Sequence, residues 1–515
     1  MPGPRPATRP PPAPAGPTVE LSSTASEKEA LALVPESFAS AHLVLPLTIS
    51  AGTLRVACAD PEDLRMLGEL QVLARLPVVA TFAPQAEIEE SIRQRYKVLG
   101  NVDQHVREFT QRMPIVDADG ALSLKSIDAS SPVVQIVNLL ITQGLRDRAS
   151  DIHIEPQRTG LRVRFRIDGL LTDAITLPKA MGPSLASRIK VMANMDIVDK
   201  HRAQDGQIRI EGAGRQVDIR VSTAETIWGE KLVLRLLDQG RTLLRLDQLG
   251  LELSGIERMS RLLSSPYGMV VVSGPTGSGK TTTLYAAINE LDPIAQNITT
   301  IEDPVEYTFD NINQIQIRKV ANIDFANGLK AILRQDPDVI LVGEIRDIET
   351  AEIAVQSALT GHLVLTSIHA TDAAGATQRF IEMGIEGFLI SSALIGVGAQ
   401  RLLRRVCTYC KTRYRPSPDE MLLWEEFGAR SKAEFFHGGG CANCAGTGYR
   451  GRIGVFEVLE LTDPIKRLVS ARASAQDIRE KAQRDGMVTL RQDAVAKVAA
   501  DVTTLSEVIR CVWLN

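Results

Sequence analysis

No apolar run in this chain reaches the roughly 18 residues of a membrane span, so no membrane-crossing segment is expected. The first residues carry arginines and prolines but no apolar core of the kind a secretory leader needs, so no signal peptide is expected either. Aromatic residues make up only 4% of the chain and rarely interleave with basic ones, which removes the stacking platform common in single-strand binders. An excess of positive charge is missing too: the net charge is −4, which argues against a general nucleic-acid binder. Cysteine is scarce, with 6 in the chain. Cys58 and Cys511 stand alone and are expected to be packing residues, whereas the rest fall in Cys-x-x-Cys pairs. In a reducing compartment such pairs point to metal rather than disulfides. The expectation is a cytoplasmic protein.

What is present is a chain too long for one core, so three or four domains are expected from its 515 residues. Hydrophobic residues at 44% and charged ones at 23% fit globular folding. Residues 1–25, rich in Pro, Ala and Ser, cannot bury a core and are expected to be a disordered tail. Residues 26–98 read as a small α+β domain: a hairpin over 43–58, a helix over 61–75, a strand over 77–82 and a helix over 85–96. Nothing catalytic shows there, so a docking module or a passive structural domain is expected. Residues 99–125 read as a linker with a turn at 117–120. Residues 126–245 form a second α+β unit. Its segment 161–167 alternates arginines, so Arg162, Arg164 and Arg166 share one strand face, read as solvated for most of them. Residues 246–400 alternate strands (269–273, 298–301, 339–342, 363–367) with helices (281–291, 325–334, 349–359, 373–383). That alternation implies a mostly parallel sheet covered by helices. Residues 401–455 hold the cysteine pairs, and helices follow over 456–515.

The most informative stretch is Gly274-Pro275-Thr276-Gly277-Ser278-Gly279-Lys280-Thr281, continued by Thr282. It is a phosphate-loop pattern set between a strand and a helix, the context it needs. Glycines let the backbone curl its N–H groups toward a phosphate, and the helix N-terminus adds a positive partial charge. Lys280 would reach the β- and γ-phosphates of a nucleotide, and the Thr281 hydroxyl would bind Mg²⁺.

Phosphoryl transfer also needs a metal clamp, an oriented water and a positive group. The apolar run before Glu344 has the Walker-B pattern, with Glu344 placed after a glycine to hold Mg²⁺ through water. Glu302 and Asp303 follow the strand over 298–301 and should emerge at the ligand-binding edge, where one could orient the attacking water. The strand before His369 begins at His362, so both of its ends carry a histidine. Taken singly such residues are more often structural; several charged strand ends beside one phosphate loop favour function.

Cys407, Cys410, Cys441 and Cys444 suit a closed tetrahedral Zn²⁺ site, with reduced free cysteines as the alternative. Arg404, Arg405, Arg450 and Arg452 flank them and could offset the charge of a zinc thiolate complex.

Taken together, residues 149–156, 166–169, 274–281, 301–307, 333–338, 342–347 and 361–373 resemble the GspE/PilB family, the assembly ATPases of type II secretion systems and type IV pili. The resemblance covers 126–515, and more weakly 26–98, where the family has a docking domain for an inner-membrane partner. It implies an α/β fold: a RecA-like P-loop ATPase domain preceded by a PAS-like α+β domain and a small α+β N-terminal domain, with a tetracysteine zinc subdomain and C-terminal helices. It implies a homohexamer bound to inner-membrane secretion or pilus platform proteins at the inner face of the cell membrane, using ATP, Mg²⁺ and Zn²⁺, with no direct nucleic acid. It places the family's Asp box on 301–307 and its His box on 361–369, giving His369 a site role beside Glu302 and Glu344. Arg220 matches an arginine used at the γ-phosphate, delivered in such rings to a neighbour's nucleotide. A second family arginine falls on Gln207, so Arg202 or Arg209 would have to replace it. The arginine-leucine-glycine motif of cyclic-di-GMP-binding relatives is not visible in 1–98, so no such site is expected. The alternatives from other classes are a RecA-like nucleic-acid translocase and a nucleotide-bound scaffold without turnover.

Overall fold

The computed structural model describes residues 27–50, 52–96, 102–111, 131–212, 215–238, 244–318, 323–426 and 434–513, together with Leu21, Ala321 and Lys432. Most of the expected tail and the turn expected at 117–120 lie outside the described residues.

The N-terminal unit is a three-stranded sheet of β1 (Val44–Ser50), β2 (Thr53–Cys58) and β3 (Val78–Phe82). The first pair is antiparallel and the second parallel, with helix Leu64–Ala74 making the crossover. Asp63 caps that helix by accepting from the N–H groups of Arg65 and Met66. Cys58 is buried in this core, as a packing residue should be.

Part of the expected linker is a helix, Val102–Gln111. Val102, Val106 and Phe109 recur at helical spacing and pack into the second domain's core. A short apolar stripe on a polar stretch gave the linker reading; the docking surface of helix Pro132–Arg146 makes it a helix.

The second domain is a six-stranded antiparallel sheet of β4 (Ala149–Pro156), β5 (Leu161–Ile167), β6 (Leu170–Leu177), β7 (Gln204–Gly212), β8 (Arg215–Thr226) and β9 (Gly229–Asp238), in the order β6-β5-β4-β9-β8-β7. One face, with Ile152, Ile154, Phe165, Leu234 and Ile219, joins the core under helices Pro132–Arg146 and Gly182–Met192. The other face carries charge, as the period of two dictates. Its arginines are ion-paired rather than merely solvated: Arg162 with Asp173, Arg164 with Glu155, Arg166 with Asp151.

The third sheet holds β10 (Gly268–Ser273), β11 (Ile298–Glu302), β12 (Asn313–Gln316), β13 (Val339–Val342), β14 (Leu363–Ile368) and β15 (Leu394–Val406). Beyond β16 (Lys411–Tyr414) and β17 (Phe435–Gly438), which form their own hairpin, comes β18 (Tyr449–Glu460). The order is β12-β11-β13-β14-β10-β15-β18, parallel except for β18, which runs antiparallel to β15. β10, β13 and β14 are buried along their whole length, as strands sandwiched between helices must be. β15 and β18 cross the boundaries expected at 400/401 and 455/456. The cysteine-bearing segment is thus an insertion between two strands of the nucleotide-domain sheet. The last helices, Asp463–Ser470, Ala475–Arg484 and Leu490–Ala499, follow the sequence pattern closely, and Cys511 lies partly buried against their shared core. Among the described residues no helix is long and apolar enough to cross a membrane.

Candidate nucleotide and metal sites

The phosphate loop joins β10 to helix Lys280–Ile288. Gly274, Gly277 and Gly279 all have positive φ, the region that side chains avoid. A Cβ on Gly274 would stand 2.5 Å from Ser278 Oγ and 2.7 Å from the Gln400 carbonyl. Gln400 on β15 pins the loop from behind, its Nε2 donating to the Ser278 carbonyl. Pro275, Thr276, Thr281 and Thr282 are exposed at the mouth. The Lys280 ammonium lies in that mouth, donating to the carbonyls of Gly274 at 2.8 Å and Pro275 at 3.2 Å. Burial lowers its pKa from the ordinary lysine value, with Glu344 pulling the other way.

Strand order brings distant residues to this mouth. β14 lies beside β10 in the sheet and β13 beside β14, and their C-terminal ends deliver His369 and Glu344. Lys280 Nζ is 3.5 Å from His369 Nδ1, and His369 Nε2 is 3.5 Å from a Glu344 oxygen. The other Glu344 oxygen accepts from Arg346, a partner the sequence reading did not single out. The strand ends are stitched by backbone: Gly343 N–H donates to the Ile301 carbonyl, and Ser367 Oγ–H to the Gly343 carbonyl. A cradle shaped for glycine, a lysine, an exposed threonine hydroxyl and a carboxylate within one mouth fit a Mg²⁺-nucleotide.

Glu302 requires a correction. It does not emerge at the edge but is buried at 3% exposure. Its two oxygens accept from the Tyr285 hydroxyl, from Thr300 Oγ1 at 2.7 Å and from Gln314 Nε2 at 3.2 Å. A carboxylate held by three donors has little left for a water. The exposed acids of this box are Asp303, which emerges as expected, and Glu306, which sits four residues beyond Glu302. Glu306 pairs at 3.5 Å with Arg220 of the second domain, whose Nη2 also approaches the Val305 carbonyl at 3.4 Å. That contact is made within one chain.

Gln207 stands directly across from Arg220 on the paired strand. Arg209 is held by Asp218 at 2.9 Å, and Arg202 lies on an exposed loop beside Asp199. Arg235, also opposite Arg220, is tied to Asp151 at 3.0 Å.

The four cysteines converge. Sγ atoms are 3.8 Å apart for Cys407 and Cys441, 3.9 Å for Cys410 and Cys444, and 3.7 Å for Cys441 and Cys444. A tetrahedron with Zn–S bonds of about 2.3 Å has edges of about 3.8 Å, so the set fits Zn²⁺. The N–H groups of Cys441 and Gly448 point at Cys444 Sγ, support that a thiolate ligand needs. Of the flanking arginines, Arg404 is committed to Glu507 and stacks on Tyr449, and Arg450 lies over Tyr409. Arg405 and Arg452 are exposed.

Fold and site together define a RecA-like P-loop nucleoside triphosphatase, with the arginine-bearing second domain touching the 301–307 segment through Arg220. The profile of the type II/IV secretion system protein family matches residues 126–510, and that of the MshEN domain residues 15–101. The chain belongs to the type II/IV secretion system protein family and is an ATPase of it. It is 39% identical over 505 residues to the type IV pilus assembly ATPase PilB of Myxococcus xanthus, covering 96% of this chain and 88% of that one. It is 48% identical over 380 residues to the type II secretion system protein HxcR of Pseudomonas aeruginosa, covering 74% and 77%. With the type II secretion system ATPase E of Vibrio cholerae it shares 38% over 504 residues, covering 95% and 99%. Among solved structures, the ATPase DotB of Legionella pneumophila matches with a TM-score of 0.54 at 19% identity, over 72% of this chain and 94% of that one, a likeness of fold.

Proposed function

We propose that the chain is the motor of a type II secretion or type IV pilus machine, hydrolysing ATP as a homohexamer to drive pseudopilus or pilus assembly. It would work in the cytoplasm, held at the inner face of the membrane by platform proteins. In this reading the loop amides and Lys280 bind the phosphates, while Thr281 and Glu344 would hold Mg²⁺, which would supply charge neutralisation to the phosphates. His369 links Lys280 to Glu344. Glu306 orients the attacking water, and Arg220, from the same chain, neutralises the transferring phosphoryl group. Glu302 acts indirectly, through the box it holds in place. Zinc would be structural, since four thiolates leave no open position for water.

The observation that carries the reading is the single string Lys280–His369–Glu344, drawn from three neighbouring strands to the phosphate loop. Arg162, Arg164 and Arg166, the basic strand a nucleic-acid translocase could use, are neutralised by carboxylates on their own sheet, which disfavours that alternative. Glu344→Gln tests the site: ATP should still bind while phosphate release slows at least ~10²-fold, the scale of losing one preorganised charge. Wild-type turnover in that variant would remove Glu344 from the mechanism.

A further inference from the structure

We propose that Tyr285 is a positioning residue that couples the phosphate-loop helix to the Glu306 carboxylate. The proposal rests on the reading of Glu306 as the group that orients water. Tyr285 lies five residues beyond Lys280 in the same short helix, so its backbone moves with the lysine. Its ring is buried, and its hydroxyl reaches two places on the neighbouring box. It accepts the Glu306 N–H at 3.2 Å and stands in hydrogen-bond contact with a Glu302 oxygen.

The roles of the hydroxyl are fixed by chemistry. A phenol has one proton. An amide N–H can only donate, so the phenol oxygen accepts from Glu306 and its proton goes to Glu302. Burial first, and then the Glu302 charge, push the Tyr285 pKa up, so the O–H persists as a donor. The other Glu302 oxygen takes Thr300 and Gln314, which leaves the Tyr285 bond as the one that ties this carboxylate to the phosphate-loop helix.

The segment between Glu302 and β12 is then fastened at both ends. Gln314 accepts the Phe309 N–H at 2.8 Å and donates to the Tyr307 carbonyl at 3.0 Å. The Phe309 ring meets Tyr285 edge-on at 5.2 Å between centroids. What this buried network leaves outside is the Glu306 side chain, aimed at Arg220. A shift of the phosphate-loop helix therefore reaches the Glu306 backbone through the Tyr285 hydroxyl, and reaches the second domain through the contacts of Arg220 with Glu306 and the Val305 carbonyl.

A hydroxyl that only stabilised the core would behave differently, and Tyr285→Phe separates the two because it keeps the ring. Y285F should lower kcat by ten-fold or more and leave the Kd for an ATP analogue within twofold. Thr300→Val is the contrast, since it removes another donor to Glu302 without touching Glu306; it should lower the thermal midpoint but keep kcat within twofold. Glu306→Gln should itself lose turnover, and the double variant Y285F/E306Q should be no slower than E306Q. Wild-type kcat in E306Q overturns the Glu306 reading and the proposal with it. A slow E306Q beside a Y285F at wild-type rate overturns the proposal alone. So does a double variant whose losses multiply. Turnover loss that merely tracks loss of folded protein, in Y285F as in T300V, assigns the hydroxyl to the core and overturns it as well.

Discussion

The phosphate loop and the cysteine cluster are both built from short motifs, yet they hold their ligand atoms in opposite ways. In the cluster three Sγ–Sγ distances of 3.7–3.9 Å already match the edge of a zinc tetrahedron, on turns that aim N–H groups at sulfur. Little is left to move. At the phosphate loop Lys280, His369 and Glu344 stand 3.5 Å apart in a string, and the arginine that matches the family's γ-phosphate group comes from another domain. A closed donor set fits a structural ion. An open string of charges fits a ligand that arrives, reacts and leaves. In this chain the cysteine site lies within one insertion, whereas the proposed reactive site would draw on Arg220 of a second domain, which here pairs with Glu306.

That contrast can be broken in order of effect. Lys280→Ala should be the most damaging single change, since it removes the positive charge on the β- and γ-phosphates. Turnover should fall by at least ~10³-fold, with nucleotide affinity weakened, as read by phosphate release and by titration with a fluorescent ATP analogue. Full affinity in that variant would place the phosphates elsewhere.

Losing the cysteine set should do the reverse. Cys441→Ser/Cys444→Ser should lose zinc and unfold the insertion while hydrolysis stays measurable, because the phosphate loop packs on Gln400 in the middle of β15, whereas the cysteines lie beyond the end of that strand in a separate insertion. Elemental analysis of unchelated wild-type protein should give one zinc per chain; a value well below that sinks the zinc assignment.

A smaller effect separates the sites by pH. Glu507 sits with no side-chain exposure between Arg404 and Arg510. Burial pushes its pKa up, but the two arginines outweigh this and hold it at about 2, against an ordinary 4.5. A depressed carboxylate stabilises the fold above its unfolded pKa, and that stabilisation, on the order of 3 kcal/mol, is lost as pH falls from 4.5 toward 2. Protection factors of the last helices, exchange rates taken relative to the intrinsic rate at each pH, should therefore fall on acidification over that window. Glu507→Gln should flatten the response and lower the midpoint at neutral pH, because Arg404 is left half-buried without its counter-charge.

Contiguous pattern made much of this legible in sequence. The phosphate loop, the last three helices and the strands β10, β13 and β14 all announce themselves through local period and glycine placement. What was not legible depended on packing between distant segments. Helix Val102–Gln111 is polar but for a narrow stripe, and exists against the second domain. β18 joins the nucleotide sheet only after the cysteine insertion has returned the chain to β15. Glu302 and Glu306 carry the same side chain, and nothing local says which is buried; Tyr285, in a different helix, decides it. Arg220 could be matched as a residue, but whose nucleotide it faces is a matter of domain placement.

Whether Arg220 serves its own chain's nucleotide is measured directly in mixed assemblies. An arginine at phosphoryl transfer is worth about 10³–10⁵ in rate, so Arg220→Ala should be nearly inactive alone, as should Lys280→Ala. The two variants, carrying different tags, are co-assembled, doubly purified to verify mixed oligomers, and assayed for phosphate release. If Arg220 serves the nucleotide of its own chain, every site in the mixture has one defect, and activity stays at the level of the separate variants. Restoration well above that level would show Arg220 acting on a neighbouring chain and would contradict the account.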